Sequence, residues 1–346
     1  MLDLTLDRIL SPRLGPDPLS LSFPRSEHVA LVGPPASGKT TLLAILHGSV
    51  RVYGGSVSVG GRDVTGTRAS RRPLFHSLLT DPPSARWSVR RLLIRAARTR
   101  VGLSLPERIA AIEEVSESWR IANLLDRRCR DLSSHELLAT RLAQIELFRP
   151  AVLLAERMFE RASAGSADEL EEKFWSLMRA AGCTVIHELS HPDEIAWADR
   201  VVLLERGKVV IEAQPREAYS AAPFALASLL APTSSFPVIV RNGQIESPIG
   251  FWKISSPPFE GKGFALVHPA DFELVGAGEE SDFFVNVAEA RFFSGRWEVR
   301  GTLSGGTVLR VWLPPDQQIR RGKLLPLRLD PERMRLFPVE PEDESA

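Results

Sequence analysis

The sequence predicts an α/β domain with a mostly parallel sheet, followed by a smaller all-β domain. Over the first 230 residues, apolar runs of strand length alternate with stretches of helical periodicity, which favours a parallel sheet with helices on its faces. The segment APTSSFP at 231–237, rich in Pro, Ala and Ser, then marks a boundary. Beyond it, short alternating runs punctuated by Gly and Pro are typical of a small antiparallel β-barrel. We therefore expect two domains, at 1–230 and 236–340.

Individual elements follow from local patterns. The N-terminal MLDLTLDRIL alternates as a strand does, and it lacks the basic start and long apolar run of a signal peptide. Continuous apolar runs predict the strands of the sheet, at Val29–Val32, Val152–Leu154, Thr184–His187 and Val201–Leu204. Helical periodicity predicts helices at 106–122 and 133–148. In the second domain, alternating runs predict strands within FALVHPADFELV, FFVNVAEARFF and RWEVRGTLSGGTVLRVWL.

Composition narrows the class of protein. The chain of 346 residues is long enough for two domains that each bury a core. Its 43 basic and 43 acidic residues balance, so no overall field favours nucleic acid or an acidic membrane. The two cysteines, Cys129 and Cys183, match no metal-ligand spacing, which fits a reducing compartment. No stretch approaches the ~18 apolar residues of a membrane span. We therefore expect a cytoplasmic protein that binds no nucleic acid.

The segment HVALVGPPASGKTTLLAIL at 28–46 carries a phosphate-binding pattern. It places Gly-x-x-x-x-Gly-Lys-Thr between an apolar strand and an amphipathic helix. Gly33 and Gly38 let backbone amides turn inward around phosphate oxygens, and the helix N-terminus adds partial positive charge. Lys39 is expected to reach the β- and γ-phosphates, and Thr40 to offer its hydroxyl to Mg²⁺. The predicted nucleotide-binding residues are Gly33, Pro34, Ala36, Ser37, Gly38, Lys39, Thr40 and Thr41.

Three segments, in this order, resemble the ABC transporter ATPases. They are the P-loop, RDLSSHELLATRLAQIELFRPAVLLAE at 130–156 and TVIHELSHPDEIAWADRVVLLERGKVV at 184–210. The β-rich extension that contains FALVHPADFELV is similar to the C-terminal TOBE domain of importer ATPases of the maltose, glycerol, polyamine and ferric-iron types. The resemblance implies a P-loop NTPase domain with a helical subdomain at about 87–130, followed by an OB-like TOBE β-barrel. It also implies ATP and Mg²⁺ as cofactors.

The resemblance breaks at the signature sequence, which in this family contacts ATP bound to a second subunit. The family pattern is Leu-Ser-Gly-Gly-Gln, and residues 132–136 read Leu-Ser-Ser-His-Glu. Ser133, whose hydroxyl would contact the γ-phosphate, is retained. Ser134 and His135 replace glycines that allow close backbone approach. Glu136 adds a negative charge near an anionic ligand, so we expect a weaker hold on that ligand.

Two catalytic positions are altered and two are retained. His76 stands where a glutamine senses Mg²⁺ and the attacking water, and Ala155 stands where the Walker B aspartate helps to hold Mg²⁺. Glu156 occupies the position of the general base, and His191 that of the switch histidine that contacts the γ-phosphate. Without the resemblance, Glu156 is a solvated acid at a strand end and His191 is a helix-capping residue. We expect ATP binding to persist and autonomous hydrolysis to be weak.

The resemblance implies the ATP-binding subunit of an importer, located peripherally on the inner face of the cell membrane. Its partners would be membrane permease subunits, indirectly a solute-binding protein, and a second ATPase subunit in a heterodimer, with a homodimer as the alternative. The TOBE-like domain favours a sugar or polyol as the solute. A non-transport regulatory protein, or an inactive pseudo-ATPase, is the competing function. A P-loop kinase is disfavoured by the ABC order of the motifs.

The stretch from Arg68 to Arg100 contains nine arginines and one acid, Asp81. Such a stretch is typical of solvated helix faces. In an ABC ATPase, the helical insert from about Trp87 to Arg130 contacts the permease, and the arginines would then form a docking surface.

Overall fold

The computed structural model describes residues 3–72, 74–78, 86–99, 102–160, 168–189, 191–276, 279–293, 295–303 and 305–339, with the backbone alone at 70, 75–78, 168 and 293. The chain divides into two compact units, Met1–Ala222 and Pro223–Ala346. Within the described residues, none of the helices has the length and apolarity needed to cross a membrane.

The described part of the first unit contains ten strands and six α-helices. The strands are β1 Leu4–Ser11, β2 Gly15–Phe23, β3 His28–Val32, β4 Gly54–Val59, β5 Arg62–Asp63, β6 Phe75–Leu78, β7 Val152–Glu156, β8 Thr184–Glu188, β9 Arg200–Glu205 and β10 Lys208–Ala213. The helices are α1 Lys39–His47, α2 Val89–Ala97, α3 Leu105–Ser118, α4 Ser134–Phe148, α5 Asp168–Ala180 and α6 Pro215–Ala221.

A six-stranded sheet organises this unit, in the order β10-β9-β3-β8-β7-β6. Neighbouring strands from β9 to β6 run parallel, and β10 pairs antiparallel with β9 at one edge. A second, antiparallel sheet has the order β2-β1-β4-β5. The predicted α/β domain with a mostly parallel sheet is therefore confirmed. Because parallel strands end at the same edge of a sheet, the residues that follow β3, β7 and β8 lie together at the carboxyl-terminal edge, where α/β proteins bind ligands.

Several element boundaries differ from the sequence-based expectation. β7 continues two residues beyond its predicted end, to Glu156, and β8 one residue, to Glu188, because the backbone pairing of the two strands extends that far. α3 ends at Ser118, four residues before its predicted end at 122. The backbone of Arg120 there is left-handed, with φ of 55°, which a continuing α-helix does not allow.

Two apolar cores fill the first unit. One lies around α1 and includes Leu42, Leu46, Val152 and Leu154. The other joins α2, α3, α4 and α5, and its largest fully buried side chains include Trp119 and Trp175. α4 packs on α2 and α3. The predicted helical subdomain is thus present, and α4 is part of its core.

The second unit is almost entirely β. Its described elements are the short helix α7 Phe224–Ala227 and the strands β11 Ser234–Arg241, β12 Gln244–Ser247, β13 Gly250–Lys253, β14 Gly261–Val267, β15 Phe272–Leu274, β16 Phe283–Phe293, β17 Arg296–Thr302, β18 Val308–Leu313, β19 Leu324–Leu329 and β20 Arg335–Pro338. They form two five-stranded antiparallel sheets, in the orders β13-β12-β11-β14-β20 and β15-β19-β16-β17-β18. Inward residues of both sheets share one apolar core, including Phe236, Val285 and Leu325. The predicted small β-barrel-like domain is confirmed.

Candidate nucleotide site

The loop between β3 and α1 has the backbone geometry of a phosphate cradle. Gly33 and Gly38 have φ of 153° and 106°, and Ala36 has φ of 62°. A Cβ on Gly33 would lie 2.2 Å from the carbonyl oxygen of Leu204, so only glycine fits there. The loop is also tied to the β9–β10 turn, since the Gly207 N–H donates to Ser37 O at 2.8 Å. The backbone of β9 and of the turn after it therefore fixes the position of this loop.

α1 begins from this loop with an open N-terminus. Its N-cap is Gly38, whose left-handed backbone brings no side-chain capping hydrogen bond, and the first turn contains no acidic residue. The first amides of the helix, including those of Thr40 and Thr41, are thus left for an external acceptor. A helix N-terminus of this kind favours an anion such as phosphate.

Lys39 folds back over the loop that precedes it. Its Nζ donates to Gly33 O at 2.8 Å, to Pro34 O at 3.1 Å and to Ser37 Oγ at 3.3 Å. Burial lowers the pKa of Lys39; the nearby Glu188 carboxylate opposes that shift, and the Arg157 guanidinium adds to it. The ammonium is placed beside the cradle as a compact positive charge.

Two carboxylates stand beside the first turn of α1. Glu156 ends β7 and Glu188 ends β8, and the two residues are paired in the parallel register. Thr40 Oγ1 donates to Glu188 Oε2 at 3.3 Å, and Lys39 Nζ lies 3.7 Å from Glu188 Oε1. Burial raises the pKa of Glu156, the charge of Glu188 raises it further, and hydrogen bonding with Thr40 opposes both. The Thr40 hydroxyl and the two carboxylates are oxygen ligands of the kind that Mg²⁺ takes. The Lys39 ammonium beside them suits a phosphate.

Glu188 was not among the predicted site residues. A single acid after an apolar run is not a motif, and the family pattern assigns no role to it. The available signal is topological: an acid that ends a strand next to the strand of Glu156 reaches the same edge of a parallel sheet.

Ala155 faces away from this point. It is 1% exposed and belongs to the core of the helical subdomain, together with Leu153 and Val185. Glu156, the next residue of β7, faces the side of α1, as side chains on a strand alternate between its two faces. A carboxylate at position 155 would therefore enter an apolar core rather than approach Thr40.

The signature residues lie at the start of α4 and bond to one another. The Glu136 N–H donates to Ser133 Oγ at 3.3 Å, and the Ser133 N–H donates to Glu136 Oε2 at 2.8 Å, which makes a complete capping box. Arg127 Nη1 lies 3.1 Å from Glu136 Oε1. The hydrogen bond from the Ser133 N–H is the main reason that the pKa of Glu136 is lowered. The negative charge expected from the sequence is present, and it is held by its own helix and by Arg127.

The remaining predicted residues have simpler surroundings. Ser134 is the first residue of α4, and His135 lines a cavity of about 230 Å³ with Trp119 and Lys173. His191 caps the 3₁₀ helix Pro192–Trp197, accepting at Nδ1 from the Asp193 N–H at 3.4 Å, and its own N–H donates to Glu194 Oε1 at 3.0 Å.

His76 lies in β6, paired with Leu154, and its side chain is outside the described part of the structure. Of the predicted catalytic and phosphate-binding residues, the structure places Lys39, Thr40 and Glu156 around Glu188.

Known proteins resemble this chain in sequence and fold. Residues 16–156 match the family described as ABC transporter. The sulfate/thiosulfate import ATP-binding protein CysA of Bradyrhizobium diazoefficiens is 26% identical over 337 residues, which cover 93% of this chain and 94% of CysA. The cobalt import ATP-binding protein CbiO of Rhodobacter capsulatus is 32% identical over 205 residues, 57% of this chain and 71% of CbiO. The structure of cbiO1 from Clostridium perfringens, part of the ABC transporter complex cbiONQ, superposes with a TM-score of 0.55 at 18% identity, over 63% of this chain and 90% of cbiO1.

Proposed function

The chain belongs to the ABC transporter ATP-binding family, and from this membership we propose that it binds ATP with Mg²⁺ and couples that binding, with weak hydrolysis, to solute import through a membrane permease. The observation that carries the proposal is the open N-terminus of α1. Its amides, the cradle of Gly33 and Gly38 and the Lys39 ammonium together match a triphosphate in shape and charge.

Each residue of the site has a part in this proposal. The amides of the loop and of the first turn of α1 bind phosphate oxygens, and Lys39 exchanges its bonds to the loop carbonyls for the β- and γ-phosphates. Thr40 and Glu156 hold Mg²⁺, which neutralises charge on the phosphates when it is bound. The contact between Glu156 and Thr40 favours this metal-side role over the role of general base that the spacing suggested.

The residue after Glu156 is the reason that we expect weak hydrolysis. The next residue is Arg157, a cation with φ of 43°, whose side chain pairs with Glu160. A cation cannot accept a proton from water, so no general base follows the metal-side carboxylate on this strand. His191 is half-exposed and caps a 3₁₀ helix, and its contact with the γ-phosphate stays a prediction.

Calorimetry with ATP and Mg²⁺ tests the proposal. We expect saturable binding by the wild type, and a loss of roughly 10–100-fold in affinity for Lys39→Ala, the worth of one charge-assisted hydrogen-bonding group. Lys208→Ala is the matched control, because Lys208 is an exposed lysine paired with Asp17 at 2.8 Å. The rate of ATP hydrolysis in the same samples should stay below ~1 s⁻¹, the lower end of the range typical of kinases. Equal affinity of wild type and Lys39→Ala would refute the assignment.

We propose that the chain works beside a second ATPase subunit with intact motifs. Each ATP of this family is bound between two subunits, so a homodimer would combine the altered signature 132–136 with Arg157 at both sites. A standard partner would bring its own signature to the open α1 of this chain. Expression with the permease subunits, followed by native mass spectrometry, decides between a heterodimer and two copies of this chain.

The solute remains a separate proposal. The similar proteins named above import sulfate or thiosulfate in one case and cobalt in the other. The sugar or polyol that we propose rests on the resemblance of the C-terminal unit to TOBE domains, and uptake measurements with a labelled solute set test it. A chain that binds ATP but joins no permease or solute-binding protein would instead favour a regulatory function away from transport.

A further inference from the structure

The contacts around Thr40 come from three elements that are distant in sequence. Thr40 lies in the first turn of α1, Glu156 ends β7 and Glu188 ends β8. The in-register pairing of Glu156 with Glu188 sets the two carboxylates side by side, and the Thr40 hydroxyl contacts the Glu188 carboxylate at 3.3 Å. The sheet, rather than a local motif, assembles this group.

Glu188 is a buried acid with polar partners on both of its carboxylate oxygens. It is 8% exposed, and its carboxylate has Thr40 on one oxygen and Lys39 on the other. Lys39 Nζ also donates to the carbonyl oxygens of Gly33 and Pro34, so one ammonium contacts both the loop and the Glu188 carboxylate. The charge of Glu188 raises the pKa of Glu156, and a divalent cation held by both carboxylates would offset their repulsion.

The donor set fits magnesium. Mg²⁺ in nucleotide sites takes one or two carboxylates from the protein, and phosphate oxygens and waters complete its octahedron. Ala155 offers no further ligand, because it belongs to the core of the helical subdomain. Glu188, from the neighbouring strand, is on the side of Thr40.

We propose that Glu188 supplies a second Mg²⁺-holding carboxylate, acting with Glu156 and Thr40 when ATP is bound. The inference rests on the proposed function, since the metal would be held together with the nucleotide. It makes β8 a metal-binding element of this chain, and it assigns a role to a residue that no motif identifies.

The test compares the binding of a non-hydrolysable ATP analogue in Mg²⁺ and in EDTA. For the wild type we expect tighter binding in Mg²⁺. For Glu188→Gln we expect affinity in Mg²⁺ to fall about 10-fold or more, since even the loss of an outer partner of a metal typically costs about that much. In EDTA the same variant should bind as well as the wild type or better, because a negative charge near the phosphates is gone. Electron paramagnetic resonance of Mn²⁺ in the analogue complex should show correspondingly weaker metal binding.

Two further variants keep the result interpretable. Glu205→Gln is the matched control, since Glu205 ends the parallel strand β9 at the same edge of the sheet, and we expect wild-type behaviour. Glu188→Asp keeps the charge but shortens the side chain, and it should weaken only the Mg²⁺-dependent part of binding. It takes the place of Glu188→Gln if that variant does not fold.

The outcomes separate the two proposals. An equal loss of affinity in Mg²⁺ and in EDTA would mean that Glu188 serves only as a partner of Lys39, and it would overturn the inference. Unchanged Mn²⁺ binding in Glu188→Gln would do the same. A wild type that binds no nucleotide even in EDTA would overturn the proposed function, and the inference with it.

Discussion

Two helices of the first unit begin at positions that the ABC resemblance assigns to the phosphates of ATP, and their N-termini are built in opposite ways. α1 starts at Gly38 with neither a capping side chain nor an acid in its first turn. α4 has Ser133 as its N-cap and a complete capping box. The Glu136 carboxylate accepts a hydrogen bond from the Ser133 N–H and pairs with Arg127. The first N-terminus is open to an anion, and the second is satisfied by its own carboxylate.

This difference separates two tasks that standard ABC ATPases perform with the same chain. Binding a nucleotide needs the open cradle at α1, which is intact. Contacting the nucleotide of a second subunit uses the start of α4, where the amides of Ser133 and Glu136 have intramolecular partners and Glu136 brings a negative charge in place of the glutamine of the family pattern. We therefore expect the chain to bind ATP in its own P-loop and, because Glu136 is charged, to contribute less to the site of a partner.

The largest effect is expected from a substitution in the phosphate cradle before α1. Gly33→Ala would place a Cβ 2.2 Å from Leu204 O and 2.6 Å from Ser37 Oγ, and the first of these atoms is backbone. We expect a loss of nucleotide affinity of about 100-fold or more, together with a destabilisation of roughly 1–3 kcal/mol from the strained backbone. Gly66→Ala is the control, because a Cβ there meets nothing within 4 Å. Nucleotide affinity near that of the wild type in Gly33→Ala, measured by calorimetry, would break the comparison.

The fold was largely readable from the sequence, and the site only in part. Apolar runs located β3, β7, β8 and β9, because strands buried in a parallel sheet are apolar throughout. The P-loop was readable because its function needs a contiguous pattern of glycines, Lys39 and Thr40.

Glu188 was not readable in this way, since its partner Glu156 is distant in sequence and only the strand register joins them. The signature was read as a damaged ATP contact, although Ser133-x-x-Glu136 is also the spacing of a capping box. Both readings use the same residues, and the hydrogen bonds of the folded chain are needed to choose between them.

The second prediction converts the open N-terminus into the closed type. Thr41 occupies the third position of α1, which corresponds to Glu136 in α4. Thr41→Glu should weaken ATP binding about tenfold through a like charge near the phosphates. It should also raise thermal stability slightly, because an acid in the first turn suits the helix dipole. Thr41→Gln, which adds size without charge, is the control for ATP titrations and thermal melts, and equal weakening by both variants would remove charge as the cause.

The smallest effect is expected from removing the capping box of α4. Glu136→Ala removes the reciprocal partner of Ser133 and should cost about 1 kcal/mol of folding stability, as the loss of a cap typically does. Glu107→Ala is a matched control, since Glu107 forms the same capping box with Ser104 at the start of α3, where its Oε2 accepts from the Ser104 N–H at 2.7 Å. Both variants should therefore shift the thermal melt alike.

Only Glu136→Ala should change nucleotide-dependent association with a second ATPase subunit. It frees the Ser133 amide and leaves Arg127 without its carboxylate, so the N-terminus of α4 becomes more positive toward a γ-phosphate. Removing one partly exposed charge changes such a contact by about 1 kcal/mol, which corresponds to roughly fivefold tighter association in analytical ultracentrifugation with ATP. Equal association for both variants would mean that the capping box of α4 is purely structural, and the contrast between the two helix N-termini would then have no consequence for ATP.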